Sequence, residues 1–388
     1  MTDAPRVDYT LNNPDTLTKY KTAAQISEKV LAEVTKLIVP GAKIVEICQK
    51  GDALIEEELA KVYRGKKVTK GFSHPTTVSP SSFVTPYTPL TTDESEAAVE
   101  IKADEPIKIQ LGAQIDGFGS IVCDTVIAGA EGEVTGRNAD LVLATYYANE
   151  LLLRLMIPPG TLGSDDEKAK AASTKAPTQT KITSLLEKVV KSYDCSLVES
   201  TTSWLFDRNE IEGTKKITGV SLGSGKVKQY ENRTTLHRRT LQTYGLKRPT
   251  SRKILSEVVK KFGVFPLHLR QLEDERDAKT GVVECVRSNV FRQYEVVGDK
   301  DNSPVGRLLT TIAITKNGIT KLGAAPALDL SKYKTDKKIE DEEILKILEQ
   351  PIARNTGKKK NNKKKKKPAK KAAAAAAEES SEEESDDE

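Results

Sequence analysis

Residues Lys108 to Ala128 constrain the fold of this chain more than any other stretch. Ile107, Ile109 and Leu111 alternate ahead of Asp116-Gly117, and the chain returns through Ile121 to Ile127. Period-two alternation around an Asp-Gly pair predicts an antiparallel hairpin, because that pair accepts the positive backbone angles of a tight turn.

Helical periodicity surrounds this hairpin. Ala24, Ile26, Val30, Leu31, Val34 and Leu37 predict a helix from about Leu17, stopped by Pro40-Gly41. Further helices are predicted over Ile44–Tyr63 (with Gly51 interrupting it), Ala139–Met156 and Ile182–Tyr193. Another opens with Ser251 as N-cap, with Ile254, Leu255, Val258, Val259 and Phe262 on one face. Asn317-Gly318 joins Thr310–Ile314 to Ile319–Leu322 in a closing hairpin. Ile38-Val-Pro-Gly41 and Ile157-Pro-Pro-Gly160 each end a long helix about 119 residues apart, which hints at a duplicated half-domain.

The 388 residues suit one large domain or two ordinary ones. No apolar run approaches the roughly 18 residues of a membrane span, so no membrane partner is expected. The start, Met-Thr-Asp-Ala-Pro-Arg, carries no secretion signal pattern. Cys48, Cys123, Cys195 and Cys285 are far apart, which predicts reduced buried thiols in cytosol or nucleus and argues against zinc or disulfides. The only histidines are His74, His237 and His268, so any imidazole chemistry must use one of them.

The loop from Gly71 through His74-Pro-Thr to Tyr87-Thr-Pro89, the segment Lys108–Gly119, the run Ser251-Arg-Lys-Ile-Leu-Ser-Glu-Val258, Gly281-Val-Val-Glu-Cys285 and Asn317-Gly318 together resemble one protein family. It is the proliferation-associated family, also called Erb-receptor-binding or curved-DNA-binding proteins. These proteins are similar to type-two methionine aminopeptidases and lack peptidase activity. The resemblance spans about Thr16 to Gln350. It implies an α+β pita-bread fold with pseudo-twofold halves over residues 17–350, including a basic helical insert at 226–290. Residues 1–16 and the charged tail 351–388 are expected to be disordered.

Carried over residue by residue, the resemblance places Pro86 at the catalytic histidine, and Gln110 and Ile121 at two metal-binding aspartates. Thr201 falls near the histidine ligand and Leu309 near the last glutamate. The other glutamate belongs to a strand for which the short bridge from Ile217 to Ser221 leaves little chain, implying that a central strand is lost. Two divalent cations need anionic oxygen ligands and an imidazole. Hence no catalytic, metal or cofactor site is expected. Asp116 reads as a turn residue and His74 as a packing or capping one. Asp124 has no second ligand at a compatible spacing.

Lys226 to Lys261 holds eleven cations: Lys226, Lys228, Arg233, Arg238, Arg239, Lys247, Arg248, Arg252, Lys253, Lys260 and Lys261. Only Glu231 and Glu257 oppose them, giving +9 over 36 residues, with Tyr230, His237 and Tyr244 interleaved. Such density favours a polyphosphate partner through counterion release, and the aromatic rings could stack on unpaired bases. A solvated face that binds nothing specific is the bland alternative. In the tail, Lys358–Lys360, Lys363, Lys364, Lys365, Lys366, Lys367, Lys370 and Lys371 form a second cationic element that resembles a nuclear or nucleolar address. Ser380, Ser381 and Ser385 sit among carboxylates and suit acid-directed kinases.

The leading expectation is a non-enzymatic protein of cytoplasm and nucleus, extending to the nucleolus. It would bind RNA or ribosomal particles and act in ribosome biogenesis, translation or growth regulation. The alternative is a curved-DNA-binding or transcription-linked factor that reads DNA shape, since no base-reading motif is present. Further protein partners remain unnamed at this level. A working metal-dependent aminopeptidase is the remote third.

Overall fold

The computed structural model of the chain describes residues 8–162, 175–199, 201, 203–214, 219–323 and 327–354. Helix α1 runs Pro14–Thr35 and α2 Ile44–Lys61. The first begins earlier than its apolar period suggests. Pro14 opens the helix, and the Asn13 side chain accepts the Asp15 N–H at 2.9 Å, satisfying an otherwise orphan donor. The expected disorder of residues 1–16 is thereby corrected for 8–16. The Tyr9 ring lies 6.2 Å from Phe118, and the Arg208 guanidinium sits 4.3 Å over it. Residues 1–7 lie outside the described residues.

β1 (Lys70–Pro80) and the predicted hairpin, β2 (Pro106–Ile115) and β3 (Phe118–Ile127), form an antiparallel sheet in the order β1-β2-β3. Asp116 and Gly117 take φ 55° and 84°, as a two-residue hairpin requires. Ile107, Ile109, Leu111, Ala113 and Ile115 join Ile26, Val30, Val34, Ile44, Ile47 and Ile55 in one core. Gly51 does not break α2; it lets Thr76 of β1 approach, and a Cβ there would stand 2.5 Å from the Thr76 methyl. The neighbouring Asp52 accepts the Thr76 N–H and pairs with Arg270, each at 2.8 Å. Asp116 does more than turn the chain: it pairs with Lys19 of α1 at 2.8 Å and Arg208 at 2.9 Å.

The four-residue α3 (Glu94–Ala97) precedes β2. After β3 come β4 (Val134–Thr135), α4 (Gly136–Leu155) and α5 (Gln179–Lys191). α4 and α5 share a second core with Leu141, Leu151, Leu185, Leu186 and Val189. Gly41 and Gly160, the two predicted helix stops, take φ 82° and 77°. β5 (Ser196–Leu197) is followed by a hairpin of β6 (Ser203–Asp207) and β7 (Glu210–Thr214), and then by β8 (Gly219–Ser221).

The insert holds β9 (Val227–Gln229), β10 (Leu236–Arg239), α6 (Pro249–Lys261), β11 (Pro266–His268), α7 (Glu275–Arg287), β12 (Phe291–Gln293) and β13 (Val297–Asp299). β14 (Val305–Arg307), the hairpin of β15 (Ile312–Thr315) and β16 (Gly318–Lys321), β17 (Tyr333–Lys334) and α8 (Glu342–Leu348) complete the described elements. β8 is hydrogen-bonded on both sides, to β5 and β14. The expected loss of a central strand is therefore corrected: a short one of three residues stands there. Residues 215–218 of that bridge lie outside the described ones.

Ser251 is not the N-cap of α6; Arg248 is, and Ser251 lies inside the helix. Its hydroxyl donates to the Gly281 carbonyl of α7 at 2.9 Å. Counting apolar positions could not reveal this, because Pro249 begins the helix before the first of them.

Candidate functional site

The polar side chains of β2 face away from its apolar core. Lys108 and Gln110 are nonetheless buried, 4% and 2% exposed, because β14 crosses them with Arg307. Pro86, Thr201 of the loop after β5, and Gly219 close the same pocket, which keeps about 10 Å³, room for one water-sized particle. Within it runs a chain of hydrogen bonds. His74 Nδ1 lies 2.7 Å from the Pro75 carbonyl and must donate to it. Its Nε2 then accepts from the Gln110 amide nitrogen at 3.0 Å. The Gln110 oxygen accepts from Arg307 Nη1 at 3.3 Å. Burial pushes the His74 imidazole down to about 4 and the Lys108 ammonium down to about 7. It lowers Arg307 as well, but a guanidinium keeps its proton.

Ile121 and Leu309 belong to a neighbouring space. Leu309 and Cys123 exchange backbone hydrogen bonds of 2.9 and 3.1 Å, which docks the strand after β14 onto β3. Ile121 and Leu309 line a mainly apolar cavity of about 440 Å³ with Tyr20, Leu152, Leu205 and Ile312. The five positions read from the sequence thus divide: Pro86, Gln110 and Thr201 at a nearly filled pocket, Ile121 and Leu309 at an apolar one. Their donors do not fit a dinuclear metal centre. Cations would meet a neutral amide, apolar side chains and two positively charged groups. Among the described residues no group of three or more His, Cys, Asp or Glu could hold a metal ion.

The remaining candidate ligands are occupied otherwise. Asp124 accepts the Thr125 N–H at 2.8 Å, and burial pushes its carboxyl up to about 6. His268 Nε2 bonds the Thr88 carbonyl at 2.8 Å while its Nδ1 accepts the Arg270 N–H at 3.0 Å. His237 is buried beside the Thr235 carbonyl, where burial pushes it down to about 4, so it cannot stack on a nucleobase. All four cysteines are buried and free.

The basic segment is spread over several elements, and neighbours outside it neutralise part of its charge. Arg233 pairs with Asp93 at 3.0 Å, Lys253 with Asp277 at 2.9 Å, and Lys261 with Glu257 and Glu273 at 2.8 and 3.5 Å. Arg238 and Arg239 are half-buried on β10, and Arg238 donates to the Ile211 carbonyl. Arg252 donates to the Leu246 and Lys247 carbonyls at 3.0 and 2.8 Å. Lys226, Lys228, Lys247, Arg248 and Lys260 are exposed, with no carboxylate partner among the described residues. Lys226 precedes β9 and Lys228 lies within it. Arg248 and Lys260 mark the two ends of α6, about 18 Å apart at 1.5 Å per residue. Between β10 and α6, Leu241 and Tyr244 are 81% and 54% exposed. Lys363, Lys364, Lys365, Lys366, Lys367 and the serines of the tail lie outside the described residues.

Gly281-Val-Val-Glu-Cys285 acquires a physical reading. Gly281 sits where α7 crosses α6, and a Cβ on it would stand 2.3 Å from Ile254 Cδ1. The Glu284 carboxylate accepts the backbone N–H of Lys247 and Arg248 at 2.7 and 3.0 Å, fixing the start of α6. Cys285 is buried beneath both helices.

Among the described residues no helix is long and apolar enough to cross a membrane. The metallopeptidase family M24 pattern matches residues 18–193. The solved structure of a thermophilic Arx1 is 68% identical, with a TM-score of 0.85, covering 88% of this chain and all of its own. A curved DNA-binding protein of Schizosaccharomyces pombe is 36% identical over 92% of this chain and 96% of its own length. The ErbB-3 binding protein 1 of Solanum tuberosum is 33% identical over 84% and 85%. The chain therefore belongs to the curved-DNA-binding, ErbB-3-binding and proliferation-associated protein family, on the pita-bread fold of the M24 metallopeptidases.

Proposed function

We propose that this chain is a non-catalytic member of its fold that binds structured RNA, ribosomal RNA or ribosomal particles foremost. It would act in ribosome assembly, translation or growth control, in cytoplasm and nucleus. The observation that carries this reading is the set of exposed cations without carboxylate partners among the described residues: Lys226, Lys228, Lys247, Arg248 and Lys260. A cation already paired must give up its partner to bind a phosphate, whereas these five need not. Each phosphate neutralised releases condensed counterions, so the affinity falls steeply with salt. Exposed Tyr244 beside Lys247 and Arg248 adds a ring on which an unpaired base can stack.

The supporting negative is the pocket. With basic side chains at Lys108 and Arg307 and an amide at Gln110, this pocket presents no carboxylate or imidazole ligand for a metal that would activate water. The test is a titration of ribosomal RNA and of a curved DNA duplex against the full chain as salt rises. RNA binding that weakens, with a shallower salt slope, in Lys247→Ala/Arg248→Ala/Lys260→Ala supports the reading. Unchanged affinity and slope in that variant and in Lys226→Ala/Lys228→Ala would overturn it. Preference for the duplex at physiological salt would shift the reading to a DNA-binding factor.

A further inference from the structure

The pocket beneath Pro86 is lined by two basic side chains, Lys108 and Arg307, and by no carboxylate; burial leaves Lys108 only about half protonated at neutral pH, and an anion beside it would hold that proton. Lys108 Nζ donates to the Ser81 carbonyl, and Arg307 Nη1 donates to the Gln110 oxygen at 3.3 Å. Neither head group makes another hydrogen bond to a described residue, and neither has a carboxylate within 4.0 Å among them. Two groups of opposite tendency act on Lys108: the Cys123 thiol, which burial pushes up to about 12 and keeps neutral, and the Glu105 carboxylate, which stands outside ion-pair distance. Withdrawing a guanidinium even partly from water without a counter-charge is unfavourable, and a second basic group lining the same space adds to the cost. A neutral water would fill the space and leave the charge unbalanced.

We propose that the space enclosed by Lys108, Arg307, Gln110 and Thr201 is a binding site for one small monovalent anion, chloride under physiological conditions. The remaining N–H groups of Lys108 and Arg307 supply its donors, and its single negative charge offsets one positive charge of the pair. The size limit follows from the pocket: about 10 Å³ admits one particle near the size of water and excludes phosphate, sulfate or a peptide carboxylate. The electrostatics are inverted relative to a metal centre, with cationic side chains surrounding an anion. The site is independent of the RNA surface, and its role is to hold β2 and β14 together.

The test uses the full chain at constant sodium and ionic strength, in chloride, bromide or gluconate, the last too large to enter. The midpoint of thermal unfolding should rise by about 2 °C for each tenfold increase in chloride above the dissociation constant. The same increment should appear in bromide and vanish in Lys108→Met. Should Arg307→Met fail to fold, crystals of the unaltered protein grown in bromide still decide the matter. An anomalous peak between Lys108 Nζ and the Arg307 guanidinium supports the site. Equal midpoints in chloride and gluconate, or a map with water or nothing at that place, overturns it.

Discussion

Arg307 donates to the side-chain oxygen of Gln110 at 3.3 Å, so a permanent positive charge stands beside the amide at the position where the family resemblance sets a metal-binding aspartate. The amide supplies no anionic ligand, and the guanidinium beside it would repel a metal cation.

Restoring both carboxylates should therefore not restore the chemistry. In Gln110→Asp/Ile121→Asp the carboxylate introduced at position 110 would pair with Arg307, and Pro86, Thr201 and Leu309 would still supply no imidazole or carboxylate. The variant is expected to release no N-terminal methionine from a peptide with cobalt or manganese present, and to lose the chloride-dependent rise in unfolding midpoint. Metal-dependent release above a no-protein control would refute the account of the pocket.

The cations at the two ends of α6 should act on binding, and the half-buried arginines on folding. Lys247→Ala/Arg248→Ala/Lys260→Ala is expected to reduce the slope of log affinity against log salt by about 2–3, with the unfolding midpoint unchanged. Arg238→Ala loses its bond to the Ile211 carbonyl and should lower the midpoint instead. Filter binding across a salt series and thermal melts separate the two.

Gly281→Ala should destabilise the protein by about 1–3 kcal/mol, since the added methyl meets Ile254 and the Thr250 carbonyl in a packed crossing. Urea unfolding measures this directly. Glu284→Ala leaves the crossing intact but frees the backbone of Lys247 and Arg248, so it should weaken RNA binding more than it shifts the urea midpoint.

Acid should destabilise the fold before most carboxylates titrate. Burial holds the His74 and His237 imidazoles down at about 4, against an ordinary value of 6.5. In the unfolded chain they take up protons below 6.5, while in the folded one they resist until near 4. The folded state thus binds fewer protons, and stability falls as pH falls through that window, by about 1.4 kcal/mol per unit for each histidine at most. Urea midpoints at pH 7 and pH 5 should fall less in His74→Gln than in the unaltered chain. An identical fall in both would show that His74 does not contribute.

Much of this architecture is legible in local sequence because its signals are local. Asp116-Gly117 turns the hairpin, Pro40-Gly41 and Pro158-Pro159-Gly160 stop their helices, and α6 shows its apolar face at Ile254 and Val258. The composition of the pocket was harder to read. Arg307 lies 197 positions from Gln110, and no period or motif joins them. For the same reason the +9 segment overstates its free charge: Asp93, Glu273 and Asp277 lie outside it and reach back to pair with Arg233, Lys261 and Lys253. Polar Pro14-Asp15-Thr16 hid the first turn of α1, which rests on a cap.

The triad of Lys19, Asp116 and Arg208 has a consequence for the nascent chain. Lys19 and Asp116 can meet as soon as the first hairpin has left the ribosome, but Arg208 follows Asp116 by 92 positions. Until then the N-terminal half has only one of its two latches closed. The arginine that seals this corner also lies over Tyr9, so Tyr9 gains that cation contact only after more than half of the protein has been made.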